Sequence, residues 1–480
     1  MNTTADEAGT GEYDLIVLGG GPVGENVADR AVQGGLTAII VESELVGGEC
    51  SYWACMPSKA LLRSAQALRA AQHVAGSAQA VTGTLDVAAV FARRDSFTSN
   101  WSDDGQVRWL ESAGIDLARG HGRLTGEREV TVTDADGATR VLRARHAVAI
   151  STGSDAVIPP IDGLRAASPW TSREATSAQE LPDSLAVIGG GVVAVEMATA
   201  YAALGSTVTL IARSGLLGNM EPFAGERVAA GLKELGVDVR TGIGTTAVRR
   251  DGSVTITLSD ASEVVASEVL VATGRSPRSH DIGLEVAGLE PGSWIETDDT
   301  LRVPGSDWLY AVGDVNGRAL LTHQGKYQAR AAGDVIADRA RGRDVHDEPW
   351  GRHAATADHA AVPQVTFSFP EVASVGLTES AAREAGHTVA VVDYDLGRVA
   401  GASLYEDGFE GQARLVIDAD RDVLLGATFV GPEVAELVQT ATVAVVGEVP
   451  IARLWHAVPA YPTVSEVWLR LLEAYGRESA

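Results

Sequence analysis

Residues 13–24 read YDLIVLGGGPVG, an apolar run that passes without a break into a glycine-rich turn. A helical pattern continues to Gly34, and a second apolar run from Thr37 to Val41 ends at Glu42. The spacing Gly19, Gly21, Gly24 is G-x-G-x-x-G in the context that gives that motif its meaning: strand, turn, helix, strand, acid. The first glycine permits the tight turn, the second lets backbone approach a pyrophosphate, and the third lets helix and strand pack closely. The helix N-terminus stabilises phosphate charge, and Glu42 is placed to accept hydrogen bonds from a ribose. The expectation is a doubly wound α/β nucleotide-binding domain.

The pattern recurs. Leu185-Ala186-Val187-Ile188 leads into Gly189, Gly191 and Ala194, a helix reaches about Leu204, and a strand follows from Thr207 to Ile211. Two such units imply two nucleotide cofactors. Eighteen residues past Gly24 stands Glu42, but eighteen past Ala194 stands Ala212, with Arg213 next. The acid for a free ribose 2′-hydroxyl is missing there, and an arginine stands where a 2′-phosphate could be met. The reading leans only modestly to NADPH over NADH.

Between these units lies GGECSYWACMPSK, residues 47–59, which holds both cysteines of the chain, Cys50 and Cys55. Two thiols five positions apart are a candidate redox pair. Five residues of ideal helix rise about 7.5 Å, beyond the ~7 Å Cα limit for a disulfide, so a bridge needs a distorted first turn. Gly47-Gly48 and Pro57 suit that. The alternatives are two buried thiols acting as small hydrophobes or part of a metal site. Lysine is rare, three residues against thirty-five arginines (38 − 3), which makes Lys59 stand out.

Composition bounds the rest. A chain of 480 residues forms two to four domains at roughly 150 residues each. A net charge of −26 argues against nucleic acid and anionic membranes as partners. The start has neither a basic nor an apolar leader segment, and no apolar run approaches the ~20 residues of a membrane span. Two cysteines in one motif leave no structural disulfide framework, which suits the cytoplasm.

The cysteine stretch resembles the active-site motif GGxCxxxxCxPSK of the flavoprotein pyridine nucleotide-disulfide oxidoreductases, the family of dihydrolipoamide dehydrogenase, glutathione reductase and mercuric reductase. The resemblance runs from Tyr13 to Ala474. It implies an α/β fold with two Rossmann-like dinucleotide-binding domains, the second inserted in the first, and a C-terminal α+β dimerisation domain. The implied boundaries are a tail at 1–12, an FAD-binding domain at 13–155 and 276–350, an NAD(P)-binding domain at 156–275 and an interface domain at 351–480. FSFPEVASVGLTE is similar to the family's interface domain and implies a homodimer.

On the same resemblance, Cys50 is the interchange thiol that meets substrate, and Cys55 the charge-transfer thiol against the flavin. Lys59 lies near flavin N5, and Glu196 pairs with it. The implied cofactor-binding set is Gly19, Gly21, Gly24, Glu42, Gly48, Lys59, Gly122, Thr152, Gly153, Gly189, Gly191, Ala194, Glu196, Arg213, Gly274, Arg275, Gly313, Asp314 and Thr322. FAD belongs in the first unit, because Cys50 follows Glu42 by only eight residues and a dithiol accepts electrons readily from a flavin. The nicotinamide coenzyme belongs in the second. The family ends in HxHPTxxE, whose second histidine is the base; here Tyr461 replaces it, while Glu466 keeps its register. A phenol with an ordinary pKa of about 10 is a poor base at neutral pH. His456 reads as a bystander. Mercuric reductase also has a tyrosine here but needs a further cysteine pair, which this chain lacks.

The leading expectation is an FAD- and NAD(P)H-dependent enzyme that reduces a small-molecule or protein disulfide through Cys50 and Cys55. The second is an NAD(P)H:quinone or dye reductase passing electrons directly from the flavin. The third is a redox-sensing dimer without useful turnover.

Overall fold

In the computed structural model, which describes residues 11–477, strand β1 (Gly11–Leu18) lies at the centre of a seven-stranded sheet. The expected tail at 1–12 falls outside the described residues except for Gly11 and Glu12, which open β1. Parallel neighbours flank β1: β2 (Ala38–Glu42) on one side and Thr139–Ile150 on the other. An unbroken apolar run works here because both faces are covered. Leu15 and Val17 point into one buried cluster, Ile16 and Leu18 into another. Helix α1 (Pro22–Gln33) starts on a proline already set for a helical φ and buries Val27, Ala28 and Ala31 in the same cluster as Ala332, Val335 and Ile336 of the helix Thr322–Ala340. Leu309–Ala311 returns late in the chain to pair in parallel with Thr139–Ile150.

These segments, up to Met56, Asp95–Asp155 and Arg275–Asp358, form one compact unit; Pro57–Arg94, Ala156–Gly274 and the chain from His359 onward form a second. The second unit holds a four-stranded parallel sheet in the order Asp238–Thr241, Thr207–Ala212, Ser184–Ile188, Glu268–Val271. It also holds a three-stranded antiparallel sheet over 245–266 and a five-stranded antiparallel sheet built from residues after Val362. Its helix Val192–Leu204 is apolar on nearly every side, and most of its residues are buried, as such a helix must be.

Two expectations need correction. The Ala/Leu/Arg-rich stretch Val87–Ala113 has the spacing of one helix, but it forms two, Val87–Phe97 and Asp104–Ala113. Ser99, Asn100 and Trp101 between them all adopt positive φ, which no α-helix accommodates. The distortion expected beside the cysteines lies between them. Helix α2 (Gly48–Tyr52) ends at Trp53, and helix α3 (Cys55–Gln72) begins afresh, so the two thiols sit on different helices.

Candidate active site

In the first unit, Gly47 and Gly48 both take left-handed φ values, 109° and 55°, to turn the chain into α2. A Cβ on Gly48 would lie 2.9 Å from Gly21 Cα. The cysteine segment is thereby packed against the glycine-rich loop, and only glycine fits. Cys50 and Cys55 are free thiols, each half-buried. They lie within hydrogen-bonding reach of each other; that bond, and then burial, push the Cys50 thiol well above the ordinary range. Thr322 Oγ1 is 3.4 Å from Cys55 Sγ and also bonds to Cys50. Of the aromatics between the cysteines, Tyr52 is buried, donates to Val46 O at 3.0 Å and meets Trp53 edge-on at 5.7 Å. Tyr52 therefore serves packing. Glu49 is ion-paired at 3.0 Å with Arg278, which also holds Asp155.

The same unit presents the nucleotide loop. A Cβ on Gly19 would fall 2.4 Å from Ser151 O, and one on Gly24 only 1.9 Å from Gly19 O. Gly21 has nothing nearer than Gly48 Cα at 3.9 Å, which leaves its face of the loop open. Glu42 accepts from Gly20 N–H at 2.6 Å and Glu44 N–H at 2.7 Å, and burial raises its carboxyl. Gly122 packs on Leu18 and Val41 too closely for a side chain. The Thr152 hydroxyl donates to Arg278 O, and Gly153 has φ 79°. Asp314, after Gly313 at φ 84°, accepts from Ser154 Oγ, to which Arg275 also donates. A narrow turn with an open face at Gly21, an acid on the second strand and a part-buried Asp314–Ser154–Arg275 cluster fit a bound dinucleotide.

In the second unit, Lys59 Nζ donates to Glu196 Oε2 at 2.7 Å, and Phe367 N–H donates to Glu196 Oε1 at 3.0 Å. The Glu196 side chain is 4 % exposed, that of Lys59 37 %. Lys59 also lies over the Phe367 ring, 5.1 Å from its centroid. Gly189, at φ 141°, leaves 2.2 Å between a Cβ and Ala272 O, while Gly191 is open and Ala194 fully buried. Gly274, at φ 150°, follows the strand Glu268–Val271. Arg213 is exposed and forms no ion pair among the described residues. Tyr461 is 76 % exposed. Glu466 is buried, with Arg470 3.5 Å away; no hydrogen bond links it to Tyr461 among the described residues.

Sequence reasoning passed over three residues here. Arg278 and Glu25 carry signals visible only in three dimensions, an ion pair across 229 positions and a carboxyl oxygen sealed from water without a hydrogen-bond partner. Lys326, one of three lysines, could have been noticed by its rarity.

Residues 13–333 match the family model of the pyridine nucleotide-disulphide oxidoreductases, and 362–471 match that family's dimerisation domain. The chain belongs to this family. The expected fold class stands with it, as does the expected enzyme class: an NAD(P)H-dependent flavoprotein disulfide oxidoreductase, in a family that uses FAD. Among relatives, a dihydrolipoyl dehydrogenase of Thermus scotoductus is 34% identical over 487 residues, covering 97% of this chain and 98% of that one. A mercuric reductase of Staphylococcus aureus is 31% identical over 464 residues, covering 95% of this chain and 81% of that one. The fold is shared with the HOCl-induced flavoprotein disulfide reductase RclA of Escherichia coli, in its Cu(II) complex. That match has a TM-score of 0.82 at 22% identity over 97% of this chain and 99% of the other. No helix among the described residues is long and apolar enough to cross a membrane.

Proposed function

We propose that Cys50 and Cys55 are the working dithiol, and that they reduce a small-molecule or protein disulfide in a cytoplasmic homodimer. The observation that carries this is the placement of two unbonded sulfurs within hydrogen-bonding reach, with Thr322 Oγ1 against both. The bond between them keeps the proton on Cys50 and leaves Cys55 the acceptor. Cys50, once deprotonated, attacks one sulfur of the substrate disulfide; a mixed disulfide forms and one thiolate leaves. Cys55 thiolate then attacks Cys50 Sγ and expels the second thiolate. The protein is oxidised by two electrons and the substrate is reduced by two. The proton given up by Cys50 and one from solvent neutralise the products. FAD, when bound, supplies the two-electron exchange that returns the protein to the dithiol at the expense of reduced nicotinamide coenzyme. Gly19, Gly21, Gly24, Glu42 and Asp314 hold FAD, the Gly189–Ala194 turn holds the coenzyme, and the Lys59–Glu196 pair fixes the lysine amine. Arg213 favours NADPH. The domains divide as 13–155 with 276–350, 156–275 and 351–480. A second reading, direct transfer to a quinone or dye, draws on Tyr461 in place of a histidine base.

Anaerobic titration of the yellow holoprotein with NADPH, and separately with NADH, tests this. The expected result is the long-wavelength absorption that a Cys55 thiolate gives against oxidised flavin. It should reach its maximum at two electrons, and form faster with NADPH than with NADH. Flavin bleaching without that band, or undiminished disulfide turnover by Cys50→Ser, would overturn the dithiol in favour of direct transfer.

A further inference from the structure

The thiolate is the attacking species in disulfide exchange, yet both the Cys55 bond and burial hold Cys50 protonated. Tyr461, a phenol, is a poor base at neutral pH and does not relieve that. The Thr322 hydroxyl, bonded to Cys50, relieves part of it; the rest calls for a charge at the thiols.

The helix Thr322–Ala340 supplies one. Its first residue puts Oγ1 3.4 Å from Cys55 Sγ. Its first turn is seated on the nucleotide loop, since a Cβ on Gly325 would fall 2.6 Å from Val23 Cγ2 and 3.3 Å from Gly313 Cα. Lys326 is four residues beyond Thr322 and so shares its face of the helix. Side chains on a helix lean toward its N-terminus, which for Lys326 is the direction of Thr322 and the sulfurs. Lys326 is half-buried and makes no ion pair within 4.0 Å among the described residues.

Among the described residues of the subunit, other titratable groups also stand near Cys50. Glu49 on its own helix is tied to Arg278, and Tyr52, raised to about 12 by burial, keeps its proton. Cys55 lies on α3, and His323 is exposed beside Thr322. From α1 comes Glu25, whose sealed Oε1 has no hydrogen-bond partner and whose carboxyl burial raises to about 7. The Lys326 charge lowers Glu25 against burial and the Glu42 charge, and lowers Cys50 alongside the Thr322 bond.

We propose that Lys326 is the residue that brings Cys50 to the thiolate state, from within the same subunit, with Glu25 as the buried carboxyl behind it. This rests on the dithiol reading above and adds the group that activates it. The covalent step is unchanged; Lys326 stabilises the sulfur anion before it attacks.

The test follows alkylation of Cys50 by the neutral reagent iodoacetamide as a function of pH. It uses holoenzyme reduced by a phosphine that is then removed anaerobically, with the labelled cysteine identified by peptide mapping. Lys326→Met keeps the stem and removes the charge; Lys326→Arg keeps the charge, and Lys326→Gln is a second neutral variant should the first lose flavin. Loss of the charge should shift the profile up by about one pH unit, slowing alkylation about tenfold at neutral pH, and Lys326→Arg should restore it. A neutral variant whose profile superimposes on the wild type, or a wild-type Cys50 that resists alkylation at every pH, overturns the proposal. The first result with disulfide turnover still dependent on Cys50 rejects Lys326 alone. Undiminished turnover in Cys50→Ser rejects the dithiol reading itself.

Discussion

Replacing Glu196 by alanine strips an acceptor from two donors at once, the Lys59 ammonium at 2.7 Å and the Phe367 backbone N–H at 3.0 Å. The two losses differ in size. Lys59 is 37 % exposed in its side chain, so water re-solvates it, and the lost ion pair costs about 1 kcal/mol or less. An amide left without an acceptor costs about 1–3 kcal/mol. Alanine also abandons one buried methylene, worth roughly 0.8 kcal/mol, partly offset because a buried carboxylate no longer has to be desolvated. The expected total is about 3 kcal/mol. Glutamine keeps an oxygen for Phe367 and loses only the charge, so Glu196→Gln should cost about 1 kcal/mol. Urea unfolding reads both values, at one protein concentration and with FAD in fixed excess, because cofactor and subunit association each add stability by mass action. Equal losses for the two variants would refute the argument that solvent screens the Lys59 charge. A loss under about 1 kcal/mol for alanine would refute the role given to the Phe367 amide.

Glu25 should make stability pH-dependent. Burial raises its carboxyl from 4.5 to about 7, so the folded state binds that proton more tightly than the unfolded chain. Its contribution is therefore complete below pH 4.5 and is lost as pH rises through about 7. The full span is about 3 kcal/mol. Glu25→Gln should remove that slope and unfold at higher denaturant than wild type at pH 8; identical pH profiles would contradict it. The two loop glycines should separate folding from cofactor binding. Gly24→Ala drives a Cβ to 1.9 Å from Gly19 O and should destabilise even the apoprotein, by about 1–3 kcal/mol or more. Gly21→Ala meets nothing closer than 3.9 Å, so it should leave apoprotein melting unchanged while lowering retained flavin. Equal effects of the two on melting would count against that division of labour.

The legible parts of the sequence were those in which a local pattern coincides with a three-dimensional requirement. The run Leu15–Leu18 into Gly19 announces strand and turn because covered strands are apolar throughout and tight turns need glycine. The Lys59–Glu196 pair followed from register within the family, and the structure joins the two side chains at 2.7 Å. The break at Ser99–Trp101 was signalled by a polar TSNWSDD run, but the Ala/Leu/Arg helical spacing on both sides outweighed it. The strands of the 245–266 sheet alternate weakly, with many threonines and charges, and went unnoticed. Arg278, Glu25 and Lys326 could not be placed from sequence. Their meaning depends on which helix faces which loop, and no spacing along the chain encodes that.

The late return of Leu309–Ala311 to Thr139–Ile150 has a consequence for the growing polypeptide. The sheet of the first unit can be completed only after 161 further residues (311 − 150) have been made. At about 5–20 residues per second, that is a wait of roughly 8–30 s. The helix Thr322–Ala340, whose apolar residues share a buried cluster with Val27, Ala28 and Ala31, comes later still. Throughout that interval the nascent N-terminal segment carries bare apolar surface and an unpaired strand edge, both templates for misassociation. The interleaved order of segments thus prolongs, on the ribosome, the interval in which misassociation is open to this chain.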